Sequence, residues 1–157
     1  MLNRLDRLLD EIAALHSKLI LFVGRPGCGK TRLLAELANR RGAKVMNVGA
    51  ELGKRLATLP QRERALQAFV VMRELAQSYA SGDFLLLDNI ELLFDRSLQL
   101  DPLDLLKRHA HARRVVAVWP GELCEGRLIY AEMGHPEYRD YGLDGLVLFE
   151  IESFGEG

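Results

Sequence analysis

Leu19-Ile20-Leu21-Phe22-Val23-Gly24-Arg25-Pro26-Gly27-Cys28-Gly29-Lys30-Thr31 is the stretch whose reading decides the fold. Its first five residues are all apolar, which predicts a strand covered on both faces. The next eight fit the phosphate-loop spacing G-x-x-x-x-G-K-[ST]. The chemistry dictates these residue types. Glycine lacks a Cβ, so the backbone can curl until several N–H groups converge on one phosphate. Lys30 brings a positive charge to the β- and γ-phosphates, and the Thr31 hydroxyl joins the shell of a Mg2+ ion. A helix predicted over residues 30–40 adds the positive end of its dipole. The expected cofactors are ATP and Mg2+, and the expected nucleotide-binding residues are Gly24, Arg25, Pro26, Gly27, Cys28, Gly29, Lys30, Thr31 and Arg32. A glycine turn that binds nothing would share the local pattern, but a matching carboxylate strand follows downstream.

That strand is Phe84-Leu85-Leu86-Leu87-Asp88. An unbroken apolar run suits a central parallel strand, and its terminal acid falls where ligands bind in open α/β sheets. This is the Walker B pattern. Asp88 is expected to hold Mg2+ together with Thr31. The competing reading of Asp88 is an N-cap for a helical turn over residues 90–94.

Outward from these two strands the chain alternates. Residues 2–16 carry Leu2, Leu5, Leu8, Leu9, Ile12 and Leu15 on one helical stripe, expected to pack on the domain's own sheet. Arg41-Gly42 stops the phosphate-loop helix, and residues 44–48 predict a second strand. A short helix is expected before Pro60. A long one over residues 61–80 would turn Leu66, Phe69, Val70, Met72, Leu75, Ala76 and Tyr79 inward. Asp101 and Pro102 open another helix, to residue 111. Residues 115–119 and 146–151 predict further strands, and residues 127–132 a short extra strand or edge piece. Residues 134–141 read as a polar, aromatic loop, and residues 152–157 as a frayed tail. No repeat or linker interrupts the 157 residues, so one nucleotide-binding domain over residues 1–157 is expected.

Composition narrows the function classes. With 48% hydrophobic and 27% charged residues this is ordinary globular material. The net charge of −1 offers no global field for nucleic acid, so direct DNA contact is not favoured. Lys54, Arg55, Arg62, Arg64, Lys107, Arg108, Arg113 and Arg114 are basic but interleaved with acids. Cys28 and Cys124 are the two cysteines, one of them inside the phosphate loop, which fits a reducing compartment. Charges interrupt every N-terminal apolar run, and no stretch reaches membrane-spanning length; a cytoplasmic protein is expected. His109 and His111 are too closely spaced for one helical face, so no metal cluster beyond Mg2+ is expected.

The order of phosphate-loop strand, helix, strand, helix and Walker B strand resembles the AAA-like branch of P-loop NTPases. That resemblance implies a mainly parallel three-layer α/β fold of about five strands, in the order 5-1-4-3-2; the small helical lid domain of such proteins is not expected here, a departure from the pattern. More narrowly, the phosphate loop, Leu87-Asp88-Asn89-Ile90-Glu91-Leu92-Leu93-Phe94 and His135-Pro136-Glu137-Tyr138 resemble the BrxF family, small P-loop proteins of type 3 BREX phage-defence systems. The departures are as informative. AAA-type relatives follow the Walker B acid with a glutamate that polarises the attacking water; here Asn89 stands there, and Glu91 lies two residues on. Trp119-Pro120 occupies the usual place of a polar γ-phosphate sensor. Arg139 falls where such cores present an arginine finger to a neighbour, with Arg113 and Arg114 as alternatives. The resemblance thus implies Lys30, Asp88, Asn89, Glu91 and Arg139 as catalytic residues, and other defence-system proteins or further copies of the chain as partners. Three activities fit: a slow or partner-stimulated ATPase, an ATP-dependent switch that does not hydrolyse, and a nucleotide or small-molecule kinase.

Overall fold

A computed structural model describes residues 1–131 and 134–152. Eight strands and five helices follow one another as α1 (Leu2–Ile12), β1 (Leu19–Val23), α2 (Lys30–Arg41), β2 (Val45–Asn47), α3 (Val48–Ala57), α4 (Gln61–Tyr79), β3 (Phe84–Asp88), α5 (Pro102–Ala112), β4 (Arg114–Val118), β5 (Glu122–Cys124), β6 (Arg127–Tyr130), β7 (Arg139–Tyr141) and β8 (Val147–Glu150). Two 3₁₀ turns, Ile90–Phe94 and Arg96–Leu98, lie between β3 and α5.

The main sheet has the order β2-β3-β4-β1-β8, and every pairing in it is parallel. With β8 as the fifth core strand, this is the 5-1-4-3-2 order the resemblance implied. β1 and β3 flank β4, so the phosphate loop and Asp88 leave the same edge of the sheet. Side chains alternate across each strand. Ile20 and Phe22 face a layer built by Leu5, Leu9 and Ile12 of α1 and Leu33, Leu34 and Leu37 of α2. Leu19, Leu21 and Val23 face the opposite layer of α3, α4 and α5. Asp6 fixes α1 to the end of α2 through Arg40 at 3.2 Å and Arg41 at 2.8 Å. The N-terminal stripe therefore packs on the chain's own sheet through Leu5, Leu9 and Ile12, but the helix ends at Ile12, and Leu15, expected on the same stripe, lies beyond it and is 45% exposed.

Three further expectations need correction. On α4, Leu66 is 76% exposed, while Ala68 and Val71 are buried with Met72, Leu75 and Ala76. The buried stripe starts at residue 68, and residue 66 lies two positions, roughly 200°, away from it. Residues 139–141, read as loop, form β7. The expected strand over residues 127–132 ends at Tyr130 and is the centre of an antiparallel sheet, β5-β6-β7; Glu132 falls outside the described residues, as does the tail beyond Glu152. This small sheet is bolted to the end of β4. Trp119 Nε1 donates to Ile129 O at 3.0 Å, and the backbone approaches so closely that a Cβ on Gly121 would overlap Ile129 O. No described helix is long and apolar enough to cross a membrane.

Candidate nucleotide site

The loop after β1 is shaped by two glycines in the left-handed region, Gly27 at φ 79° and Gly29 at φ 101°. Gly29 caps α2, and Leu33 N–H makes the first helical bond back to Gly29 O at 2.9 Å. The N–H groups of Lys30 and Thr31, in the first turn, have no acceptor within the helix and suit an anion at its N-terminus. A tight turn from Cys28 N–H to Arg25 O, 3.1 Å, sets the loop's curl, and Cys28 is buried beneath it.

Lys30 is folded back onto the edge of the sheet. Its Nζ donates to Gly24 O at 2.9 Å and to Trp119 O at 3.1 Å. An ammonium has three donors, so one remains for an incoming phosphate oxygen. Burial pushes the Lys30 pKa below the ordinary lysine value, while the nearby Cys28, Glu91, Asp88 and Glu122 pull it back up. The ammonium is thus partly stripped of water and surrounded by acids, a setting that an anionic ligand would relieve.

Asp88 ends β3 opposite Asn47, and its Oδ1 accepts the Asn89 N–H at 2.8 Å. The N-cap position of the following 3₁₀ turn belongs to Asn89, so Asp88 does not fill the capping role that competed with metal binding. Asn89 itself adopts φ 52°. Its Nδ2 donates to Asn47 Oδ1 at 2.8 Å, and its carbonyl accepts Gly49 N–H at 2.9 Å. Asn47 in turn caps α3 through Ala50 N–H at 3.0 Å. The Asn89 amide is therefore tied to the start of α3. Glu91 stands exposed on the 3₁₀ turn, and its charge acts on Lys30 more strongly than that of Asp88.

The remaining sequence candidates separate. Trp119 reaches Lys30 with its carbonyl only. Its fully buried indole meets Phe94 and Tyr141 edge-on, at 5.4 and 5.9 Å between ring centroids. Arg139, half-buried on β7, donates from Nη2 to Leu100 O at 3.3 Å, and its Nε is buried with no hydrogen-bond partner among the described residues. Arg114 sits at the far end of β4 from the phosphate loop, bound to Asp83 at 2.8 Å and to Leu9 O at 3.0 Å; Arg113 lies beside it. Thr31 and Arg32 are exposed on the first turn of α2, with Arg32 4.0 Å from Glu36.

Glu122 was missed from sequence. It lies on β5 but acts on Lys30, and with Val23, Gly24, Arg25, Glu150 and Ile151 it lines a pocket of about 530 Å3 beside the loop. The only signal was Trp119-Pro120-Gly121, a turn that brings the chain back over the phosphate loop. Together, free helix N–H groups, a lysine with an open donor, an exposed threonine hydroxyl and a strand-end carboxylate form a donor set that fits a nucleotide triphosphate and its Mg2+.

None of the curated proteins matches this chain in sequence. Solved structures do. A DNA replication initiation factor gives a TM-score of 0.52 at 19% identity, over 96% of this chain and 44% of that one. Replication initiator DnaA, bound to AMPPCP and single-stranded DNA, gives 0.45 at 22% over 97% and 47%, and C. elegans PCH-2 gives 0.43 at 16% over 96% and 41%. The chain spans less than half the length of each of these structures. The family model for the ATPase family associated with various cellular activities (AAA) matches residues 20–117, from within β1 into β4. Those 98 residues hold the phosphate loop, Asp88 and the strands that position them, and the chain belongs to the AAA family.

Proposed function

We propose that this protein binds Mg-ATP at residues 24–32 and hydrolyses it slowly until a partner stimulates it, as one component of a BREX-type phage-defence assembly. The observation that carries the nucleotide reading is Lys30, held by Gly24 O and Trp119 O with its third donor open beside the free N–H groups of α2. Lys30 and the loop amides bind the triphosphate, and Thr31 and Asp88 hold the metal. When bound, Mg2+ supplies charge neutralisation between the β- and γ-phosphates. Glu91 accepts from the attacking water; its charge acts on Lys30, whereas the Asn89 amide is engaged with Asn47. The defence role rests on the likeness of residues 87–94 and 135–138 to the BrxF family, and co-purification of tagged protein from its own cell, with and without ATP, tests it.

Isothermal titration with Mg-ATP tests the site. Lys30→Ala removes one charge-assisted contact, so affinity should fall roughly ten- to a hundred-fold while the fold persists. Equal affinity in both forms would refute the phosphate-site reading. A second reading, an ATP-dependent switch that does not hydrolyse, is supported by the absence of an acid at position 89 and by the Asn89–Asn47 bond. Phosphate release above the Lys30→Ala blank decides against it.

A further inference from the structure

At the edge of the sheet opposite the phosphate loop, α4 and α5 leave an open pocket of about 200 Å3 between them. Its polar lining is Arg73 and Gln77 from α4, Arg108 and His109 from α5, and Arg113 just before β4. β4 is five residues long, so about 16 Å separates this pocket from the loop. No carboxylate lines it.

The cations are poorly compensated. Arg73 and Arg113 have no ion pair or hydrogen bond among the described residues, and Arg108 has only an exposed pair with Asp104 at 2.9 Å. His109 Nε2 is buried without a hydrogen-bond partner. Burial first, and then the adjacent Arg113 and Arg73, push the imidazole pKa down. Phe69 forms an apolar wall, with the His109 ring 6.4 Å away and the Arg108 guanidinium over its face at 5.7 Å. Three guanidiniums line one pocket with Asp104 as their single carboxylate partner among the described residues, so their charges repel one another, and an anion in the pocket reverses that cost.

We infer that this α4–α5 pocket is a binding site for a phosphate group, separate from the nucleotide site. The volume sets the ligand's size: 200 Å3 lies below the range of pockets that hold whole drug-sized ligands or nucleotides, so one compact oxyanion group is what enters. The charge sets its kind. A phosphate monoester carries about −1.5 to −2 at neutral pH and three acceptor oxygens, which can engage several guanidiniums at once. A carboxylate carries half that charge and two oxygens.

The test is NMR titration of the full chain with inorganic phosphate, read on the His109 imidazole signals, against chloride at matched ionic strength. The Lys30→Ala background removes competition from the phosphate loop. Phosphate should shift the His109 signals saturably, and Arg73→Gln or Arg113→Gln should each weaken that binding about tenfold or more. A short single-stranded oligonucleotide then distinguishes the source of the group. Competition only when the oligonucleotide bears a terminal 5′-phosphate assigns a nucleic-acid end; phosphate binding without competition from either form assigns a free phosphate or small phosphomonoester; equal competition without the 5′-phosphate would overturn the monoester assignment. Unmoved His109 signals with both probes, or a shift that survives the Arg73→Gln/Arg113→Gln double variant, would overturn the inference.

Discussion

Asn89 holds a conformation that most side chains resist. At φ 52° a residue with a Cβ costs about 1–2 kcal/mol, and asparagine tolerates this region better than most because its short amide bonds locally. Here that bond runs to Asn47 and braces α3 against the end of β3. Substituting the glutamate usual in AAA-type relatives therefore does not restore a catalytic acid. Asn89→Glu should lower stability by about 1–2 kcal/mol, measured as a denaturant midpoint, without raising turnover. Glu91 is the residue to test for water activation. Glu91→Gln should slow phosphate release about 10²–10⁴-fold, the usual worth of a positioned base, from a wild-type rate expected to lie well below about 1–10³ s⁻¹. If Glu91→Gln matches wild type while ATP still binds, the base lies elsewhere.

The β5-β6-β7 sheet shows where reading elements from sequence stops. β1 and β3 were legible because five and four apolar residues in a row have one common explanation in an α/β chain, and the glycine and acid that follow them carry chemistry. β5 and β7 are three residues each, too short for an alternation to register in the sequence, and they are held where Trp119 and Tyr130 pack on Phe94 and Tyr141 packs on Trp119. The stacking of Phe94 on Tyr130, at 3.9 Å, joins residues 36 positions apart, beyond any local pattern. Leu66 misled for a related reason: periodicity gives the spacing of a buried face but not its phase when apolar residues surround the helix. The aromatic joint has a measurable signature. Tyr141 OH donates to Asp101 Oδ1 at 3.1 Å, and burial first, then the Asp101 charge, pushes its pKa up to about 12. The folded state holds this proton more tightly than the unfolded chain. Its contribution to stability is complete below pH 10 and lost as pH rises from 10 through 12. Tyr141→Phe removes that titration. The variant's stability, measured by denaturant midpoint across this interval, should decline less steeply than wild type; parallel curves would refute the assignment.

A parallel sheet sends all its strand ends one way, so the whole molecule has a phosphate-loop edge and an opposite edge, and the candidate residues divide between them. At the first edge the cations around the loop are Arg25, Lys30 and Arg32, and AAA-type transfer also calls for an arginine against the transition-state charge. Arg139 is the candidate from sequence position, yet its guanidinium is bound within its own chain. The bond to Leu100 O joins β7 to the segment that enters α5. For Arg139 to reach a neighbouring copy's nucleotide, that contact must open, and the buried Nε without a partner lowers the cost of opening it. Two measurements on Arg139→Ala separate the roles. Because it loses a charged, half-buried hydrogen bond, the variant should melt below wild type, with ATP affinity unchanged. The finger role shows only in the rate: if a second copy supplies Arg139, specific ATPase activity of the wild type rises with protein concentration and that of the variant stays flat, by a factor approaching the roughly 10³–10⁵ an arginine finger contributes. A variant that melts early but still gains activity with concentration leaves Arg139 as the brace between β7 and α5, and moves the search for the finger to a partner of different sequence.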